Sequence, residues 1–349
     1  MKRDDEMWQA VVLDGREPGT LTQWALARRP ATVSDALDTA VELGSRQARP
    51  GRGSTADLWS ALASIAAHDL QAARAMEPHL DAMAILAEAA EAGQAVDGVR
   101  ALGRTWGVFA AEGADPRLTA KHGSDGWMLT GVKPWCSLAG TVDAALVTAW
   151  VDDARRLFAL RLRQAGVVVD TGSWHARGLV DIPSGPVTFG GADAVPVGEV
   201  GWYLERPGFQ WGGIGVAACW YGGAVGIARS VLRQARGRAP STTTDIHLGA
   251  MDELLTASRL ALRDAAASID SESTADPALL AKRVRGIVAR TCEEVLWRAG
   301  HALGPGPLAT DSQHAQRVAD LQLYIRQHHA ERDQESLGRS VRTLEETPW

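Results

Sequence analysis

Apolar residues recur at helical spacing through the first hundred or so positions of the chain. Leu58, Leu62 and Ile65 fall on one face of a helix over residues 55–65. Met83, Leu86 and Ala87 continue the pattern within residues 80–90. Arg49-Pro50-Gly51-Arg52-Gly53 breaks one helix from the next. Asp69, Arg74, Glu77, His79 and Asp81 read as a solvated or interface face of this block, and no chemistry is assigned to them.

Between about residues 102 and 203 the period shortens to that of strands. Residues 127–130, 144–150, 157–162, 167–169 and 187–189 are the clearest runs. Asp125-Gly126, Asp152-Asp153-Ala154-Arg155 and Pro183-Ser184-Gly185 are turn signals, and Gly131 reads as a second break after the first strand. The run 144–150 is apolar enough to be covered on both faces.

Beyond about residue 204 the helical period returns. Residues 215–235 are apolar and carry Gly222, Gly223 and Gly226, which permit close approach of another helix. Met251, Leu254, Leu255, Ser258, Leu262, Ala265 and Ile269 form one stripe. Asp276-Pro277 starts a helix with an inner face of Leu280, Val284, Ile287, Val288, Thr291 and Val295, ended by Gly300. Leu303-Gly304-Pro305-Gly306-Pro307 reads as a non-helical loop, after which Asp311 opens a final helix reaching about Leu337. The whole is an α+β chain of three domains, residues 1–101, 102–203 and 204–349.

Composition narrows the classes. With 349 residues, 46% hydrophobic and 22% charged, the chain can bury a large core. A net charge of −6 with scattered basic residues argues against a nucleic-acid surface. The charged start, Met1-Lys2-Arg3-Asp4-Asp5-Glu6, lacks the apolar core of a signal peptide, and no uncharged apolar run is read as long enough to span a membrane, so a cytoplasmic protein is expected. Cys136, Cys219 and Cys292 are far apart and outside metal-ligand spacing, which suggests reduced thiols and no metal site.

Thirteen Trp against four Phe and three Tyr is an unusual balance. Trp127 and Trp135, with Ser137 two residues after the second, suit a flat aromatic ligand: a ring face beside a hydroxyl. The same indoles would also serve as packing for a β core.

Gly126, Trp127, Leu129, Gly131, Lys133, Trp135 and Ser137 match, position by position, a hairpin of the acyl-CoA dehydrogenase family of flavoproteins, which this stretch resembles. Val142-Asp143 resembles that family's Ala-Asp before its next strand, and the segment from Trp174 through Arg177 to Val195-Pro196 resembles a further family stretch. The resemblance implies an N-terminal helical domain, a middle β-barrel or sandwich and a C-terminal four-helix bundle. It also implies FAD as cofactor, a homodimer or homotetramer, and a small-molecule substrate carried on CoA or a carrier protein. By the same resemblance Trp135, Cys136 and Ser137 would meet the flavin beside the turn from Phe109 through Ala111 to Asp115. Arg236 is the candidate for the diphosphate, and Gly304 stands in the loop that would meet a partner's FAD.

The departures concern the chemistry. Family members use a Glu base at one of two places, and these hold His328 and Val216 here. Ala111 replaces the usual Thr, which removes a hydroxyl. Val318, Leu321, Ile325 and His328 follow at three- and four-residue spacing, which puts His328 on the inward stripe of the last helix, as a general base or as a core histidine bonded to a carbonyl. Glu331 is an alternative base one turn on. The first expectation is an FAD-dependent dehydrogenase of an acyl-thioester-like substrate. The second is a flavin monooxygenase of the same fold, and the third a scaffold or binding protein that has lost its cofactor.

Overall fold

The structure is a computed structural model that describes residues 8–15, 17–46, 48–113, 117–124 and 126–349. The charged start of the chain, Asp125 of the expected turn, and Ala114 and Asp115 of the flavin-side turn lie outside the described residues.

The N-terminal helices are α1 (Thr20–Arg28), α2 (Val33–Ser45), α3 (Thr55–His68), α4 (Leu70–Glu91) and the single turn α5 (Asp97–Arg100). Their starts follow local capping chemistry. Thr32 and Asp35 form a reciprocal capping box at α2. Asp69, the sole residue between α3 and α4, accepts from the backbone N–H groups of Gln71 and Ala72, which turns the chain sharply at the corner.

The strands are β1 (Trp106–Phe109), β2 (Thr119–Gly123), β3 (Gly126–Lys133), β4 (Ala144–Val151), β5 (Ala154–Arg161), β6 (Val167–Val169) and β7 (Val187–Val197). They make one sheet in which β4, β2, β3, β7 and β5 pair in sequence and β5 returns to β4, closing a small barrel. β1 and β6 attach to β4 and β7. Residues 144–149 of β4 are all buried, as an apolar run covered on both faces requires. Gly131 does not end its strand: β3 continues through it to Lys133, with a register shift between Leu129 and Thr130.

The C-terminal part holds the short α6 (Trp202–Glu205), then α7 (Pro207–Arg236), α8 (Thr242–Asp270), α9 (Pro277–Leu303), α10 (Gly306–Thr310), α11 (Ser312–Tyr324) and α12 (Glu331–Arg342). α7 is the central helix. Arg285 donates to the Gly213 carbonyl at 2.6 Å and the Cys292 thiol to the Trp220 carbonyl at 3.4 Å, so α9 runs parallel to it. A Cβ on Gly222 would fall 2.2 Å from the Ala63 carbonyl oxygen, so α7 touches α3 backbone to backbone. α7 is long and apolar enough to span a membrane by length and composition alone, where no such run was expected, but 78% of its apolar window is buried, as in a core helix.

Three further expectations are corrected. The helix after Asp276 runs past Gly300 to Leu303 and stops at Gly304, which takes φ 68°. Pro307 sits inside α10, in a first turn where its missing N–H has no intrahelical partner to lose. The helix from Asp311 is broken, ending at Tyr324 and restarting at Glu331 after a single 3-10 turn, Ile325–Gln327.

The packing of α7 on α3 gives a direct test. Replacing Gly222 with Ala must push the helices apart and should lower unfolding stability by about 1–3 kcal/mol, read from the denaturant midpoint. An unchanged midpoint would contradict the close approach.

Candidate functional site

The hairpin Trp displays its ring through a strained turn. Lys133, almost fully buried, donates from Nζ to Glu112 Oε1 at 2.8 Å and to Thr148 Oγ1 at 2.9 Å. Trp150 Nε1 donates to the other Glu112 oxygen at 2.9 Å. Burial alone would raise the Glu112 carboxyl, but these donors hold it below the usual carboxylate range. The ion pair draws the segment after Phe109 alongside the turn: a Cβ on Gly113 would lie 2.9 Å from Pro134. Trp135 then takes φ 60° and is 60% exposed, while Cys136 N–H and Leu138 N–H tie the following residues to the Gly185 and Pro183 carbonyls. A left-handed backbone at a non-glycine costs about 1 kcal/mol, so the surrounding bonds hold the indole outward against its own preference.

The other expected cofactor residues divide. Phe109 is core, Ala111 is exposed, and Cys136 is buried, its thiol pushed up to about 12 by burial. Ser137 is buried, bonded to Ser184 at 2.7 Å and accepting from Arg74 Nη2 at 2.8 Å. Arg236 and Gly304 close the parallel helices α7 and α9, at the end of the bundle away from Gly213 and Arg285.

Arg74 leads to the charges expected on a solvated or interface face, and they lie on a buried interface within the chain. Arg74 and His79 are buried, and Glu77 and Asp81 are nearly so. Arg74, Glu77, Asp81 and Glu88 share one stripe of α4, facing the first turns of α7. Arg206, buried just before α7, reaches Glu88 at 2.8 Å and Asp81 at 3.5 Å. Alanine at Gly208 would put its Cβ 2.0 Å from the Glu88 carboxylate, so the glycine is what admits the carboxylate there. Burial raises Asp81 above the usual carboxylate range. Burial also raises Glu77, to about 7, with Asp81 acting in the same direction and Arg74 and Arg285 opposing it.

These helices enclose a narrow space of about 40 Å³, walled by Leu58, Leu62 and Leu80, by Trp59 and Trp211, and by Glu77. A wider vestibule of about 490 Å³ adjoins it, with Arg49, Pro50, Glu88 and Trp211 lining both. Trp211 Nε1 is buried without a hydrogen-bond partner, an unmet donor on the wall of both spaces.

His328 is buried, but it lies in the break rather than on a helix. Its Nδ1 accepts from Ala330 N–H at 3.2 Å, and its Nε2 stands 3.9 Å from Asp333. Burial lowers its basicity, Asp333 raises it, and the net shift is downward. The helix breaks because Arg285 takes the Gln327 carbonyl, Asp333 accepts from His329 N–H, and Ala330 adopts φ 46°. Glu331 is exposed in the first turn of α12. The turn residues, Arg74 and Glu77 are joined by a chain of contacts, and His328 approaches that chain through Arg285, which faces Glu77.

A flavin ring fits this arrangement in part. The Trp135 face is open to it, but the Ser137 hydroxyl is already engaged with Ser184 and with the buried Arg74 guanidinium behind it.

No family model matches the chain, and no curated protein does. Solved structures match it almost end to end. Dibenzothiophene monooxygenase TdsC from Paenibacillus sp. A11-2 is 18% identical at a TM-score of 0.73, covering 97% of this chain and 99% of that one. TdsC has also been solved with FMN and indole. KijD3, in complex with FMN and a dTDP-sugar, is 16% identical at a TM-score of 0.74, covering 94% and 93%. Butyryl-CoA dehydrogenase from Megasphaera elsdenii is 16% identical at 0.74, covering 93% and 98%. The chain has the acyl-CoA dehydrogenase fold.

The charge group can be tested without a ligand. Arg206→Met strands Asp81 and Glu88 without their cation, and unfolding stability should fall by about 3–5 kcal/mol in a guanidinium titration. A loss below about 1 kcal/mol would mean that the carboxylates find water or another partner.

Proposed function

We propose that the protein is a flavin-dependent oxidoreductase acting on a small-molecule substrate that reaches a ring stacked on Trp135 from the side of α3, α4 and α7. The observation that carries this is the exposed Trp135 ring, held in a strained turn whose next-but-one residue is bonded to Arg74 and so linked to the cavity wall at Glu77. The bound flavin would supply electron transfer. The chain's own part is to present an aromatic face and to hold the Arg74 cation behind Ser137, beside the ring edge. Its relatives by fold support the reading: TdsC and KijD3 have been solved with FMN. FAD instead of FMN would add an adenylate half, for which Arg236 and Gly304 remain the candidate contacts, supplied across a homodimer or homotetramer.

Of the two reactions, we favour the monooxygenase. Dibenzothiophene monooxygenase TdsC, which matches 97% of the chain and has been solved with FMN and indole, supports that choice. Dehydrogenation of an acyl thioester has one observation in its favour, a buried Glu77 near neutrality, as a carbon acid requires.

Titration with FMN and with FAD should quench flavin fluorescence, and Trp135→Ala should weaken binding about tenfold by loss of the stacking face. Reduced flavin, oxygen and indole should then yield a product one oxygen atom heavier by mass spectrometry. Anaerobic bleaching by butyryl-CoA in place of that product would establish the dehydrogenase. Failure to bind either flavin would remove the redox reading.

A further inference from the structure

Two hydroxyl groups meet just after the exposed Trp135, and the backbone holds them face to face. Cys136 N–H donates to the Gly185 carbonyl at 3.0 Å, and Leu138 N–H to the Pro183 carbonyl at 2.8 Å. These bonds tie the residues on either side of Ser137 to the residues on either side of Ser184. Between them the two Oγ atoms stand 2.7 Å apart.

A serine hydroxyl has one hydrogen to give and two lone pairs to receive with, so the hydrogens here can be followed. Ser184 Oγ donates to the Ile182 carbonyl at 3.0 Å. Ile182 is fully buried, and its carbonyl receives no other hydrogen bond from the described residues. Turning the Ser184 hydrogen toward Ser137 would leave that carbonyl unpaired, a cost greater than the return from one exchanged bond. The contact between the serines is therefore made by the Ser137 hydrogen. One Ser137 lone pair is taken by Arg74 Nη2 at 2.8 Å, and a guanidinium has no acceptor with which to reverse that bond. Ser137 is left with one lone pair and no hydrogen. Toward a ligand it accepts and does not donate.

That polarity distinguishes the two forms of a flavin ring. The oxidised ring has a bare N5, which is an acceptor, and a single N–H, at N3. The N3–H lies between two carbonyl oxygens that need donors of their own, and neither serine has a hydrogen left for them. Reduction by two electrons places a hydrogen on N5 and makes it a donor.

We propose that Ser184 is a positioning residue that fixes Ser137 as an acceptor, so that the site selects reduced over oxidised flavin through a hydrogen bond from N5–H to Ser137 Oγ. The proposal rests on the reading that a flavin stacks on Trp135, and it adds which form of the flavin the chain takes up and which residue decides it.

The test is anaerobic equilibrium dialysis of the full-length protein against oxidised FMN and against chemically reduced FMN. The wild-type protein should hold reduced FMN about tenfold tighter, the size of one hydrogen bond gained against one mismatched contact. Ser184→Ala frees the Ser137 hydrogen for a bare N5, so the two affinities should come within about twofold of each other, chiefly because oxidised FMN binds tighter. Ser137→Ala should bring them equally close, because reduced FMN binds about tenfold weaker. A general loss of packing would weaken both forms together. A wild-type preference below about twofold, or one that persists in either variant, would overturn the role of the serines and leave flavin binding at Trp135 standing. If the wild-type protein binds neither form, the flavin reading falls and the proposal with it. If Ser184→Ala fails to fold, the wild-type preference and its loss in Ser137→Ala decide.

Discussion

Housing a buried stripe of charge between α4 and α7 is the constraint that shapes this half of the molecule. Arg74, Glu77, Asp81 and Glu88 cannot be taken out of water alone, since an unpaired buried ion costs several kcal/mol. Arg206, placed just before α7, neutralises the outer part of the stripe, and the glycines that open α7 leave room for the carboxylates. The same glycines prevent the helices from filling the gap with side chains. A cavity results, apolar on most of its wall and polar along one line. Toward the barrel, Arg74 carries the stripe to Ser137 and so to the turn that displays Trp135.

Displaying that ring is the work of a second buried charge. Lys133 points into the barrel wall and is met by Glu112 and Thr148, which fixes both strands leading to the turn. The left-handed Trp135 is then the consequence of fixed ends: the chain must reverse within a few residues while Cys136 and Leu138 bond to the loop at 183–185. Rigid support on both sides makes an exposed aromatic surface available at a defined place, as stacking of a planar ligand requires.

Much of the scaffold was legible in the chain, because its signals are local. Asp276 and Asp311 cap helices by their own side chains, and the short run 127–130 and the apolar run 144–150 encode strands whatever lies next to them. The α4 stripe stayed open between solvent and interface for a physical reason. Charges at regular helical spacing look solvated until the partner surface is known, and that surface comes from α7, far along the chain. The spacing of Arg74, Glu77, Asp81 and Glu88 opposite a glycine-rich helix start was the available clue. His328 was misplaced for a related reason. The sequence from Tyr324 to His329 contains no Gly or Pro, and the break is made by Arg285 and Asp333 from other segments.

The most direct measurement of the central claim is a crystal structure of the protein soaked with FMN. The isoalloxazine should lie against the Trp135 indole, with its polar edge toward Arg74 and the reactive side open to the space lined by Glu77, Trp59 and Trp211. Density for the ring at another surface, or a Trp135 face that stays bare at saturating FMN, would contradict it.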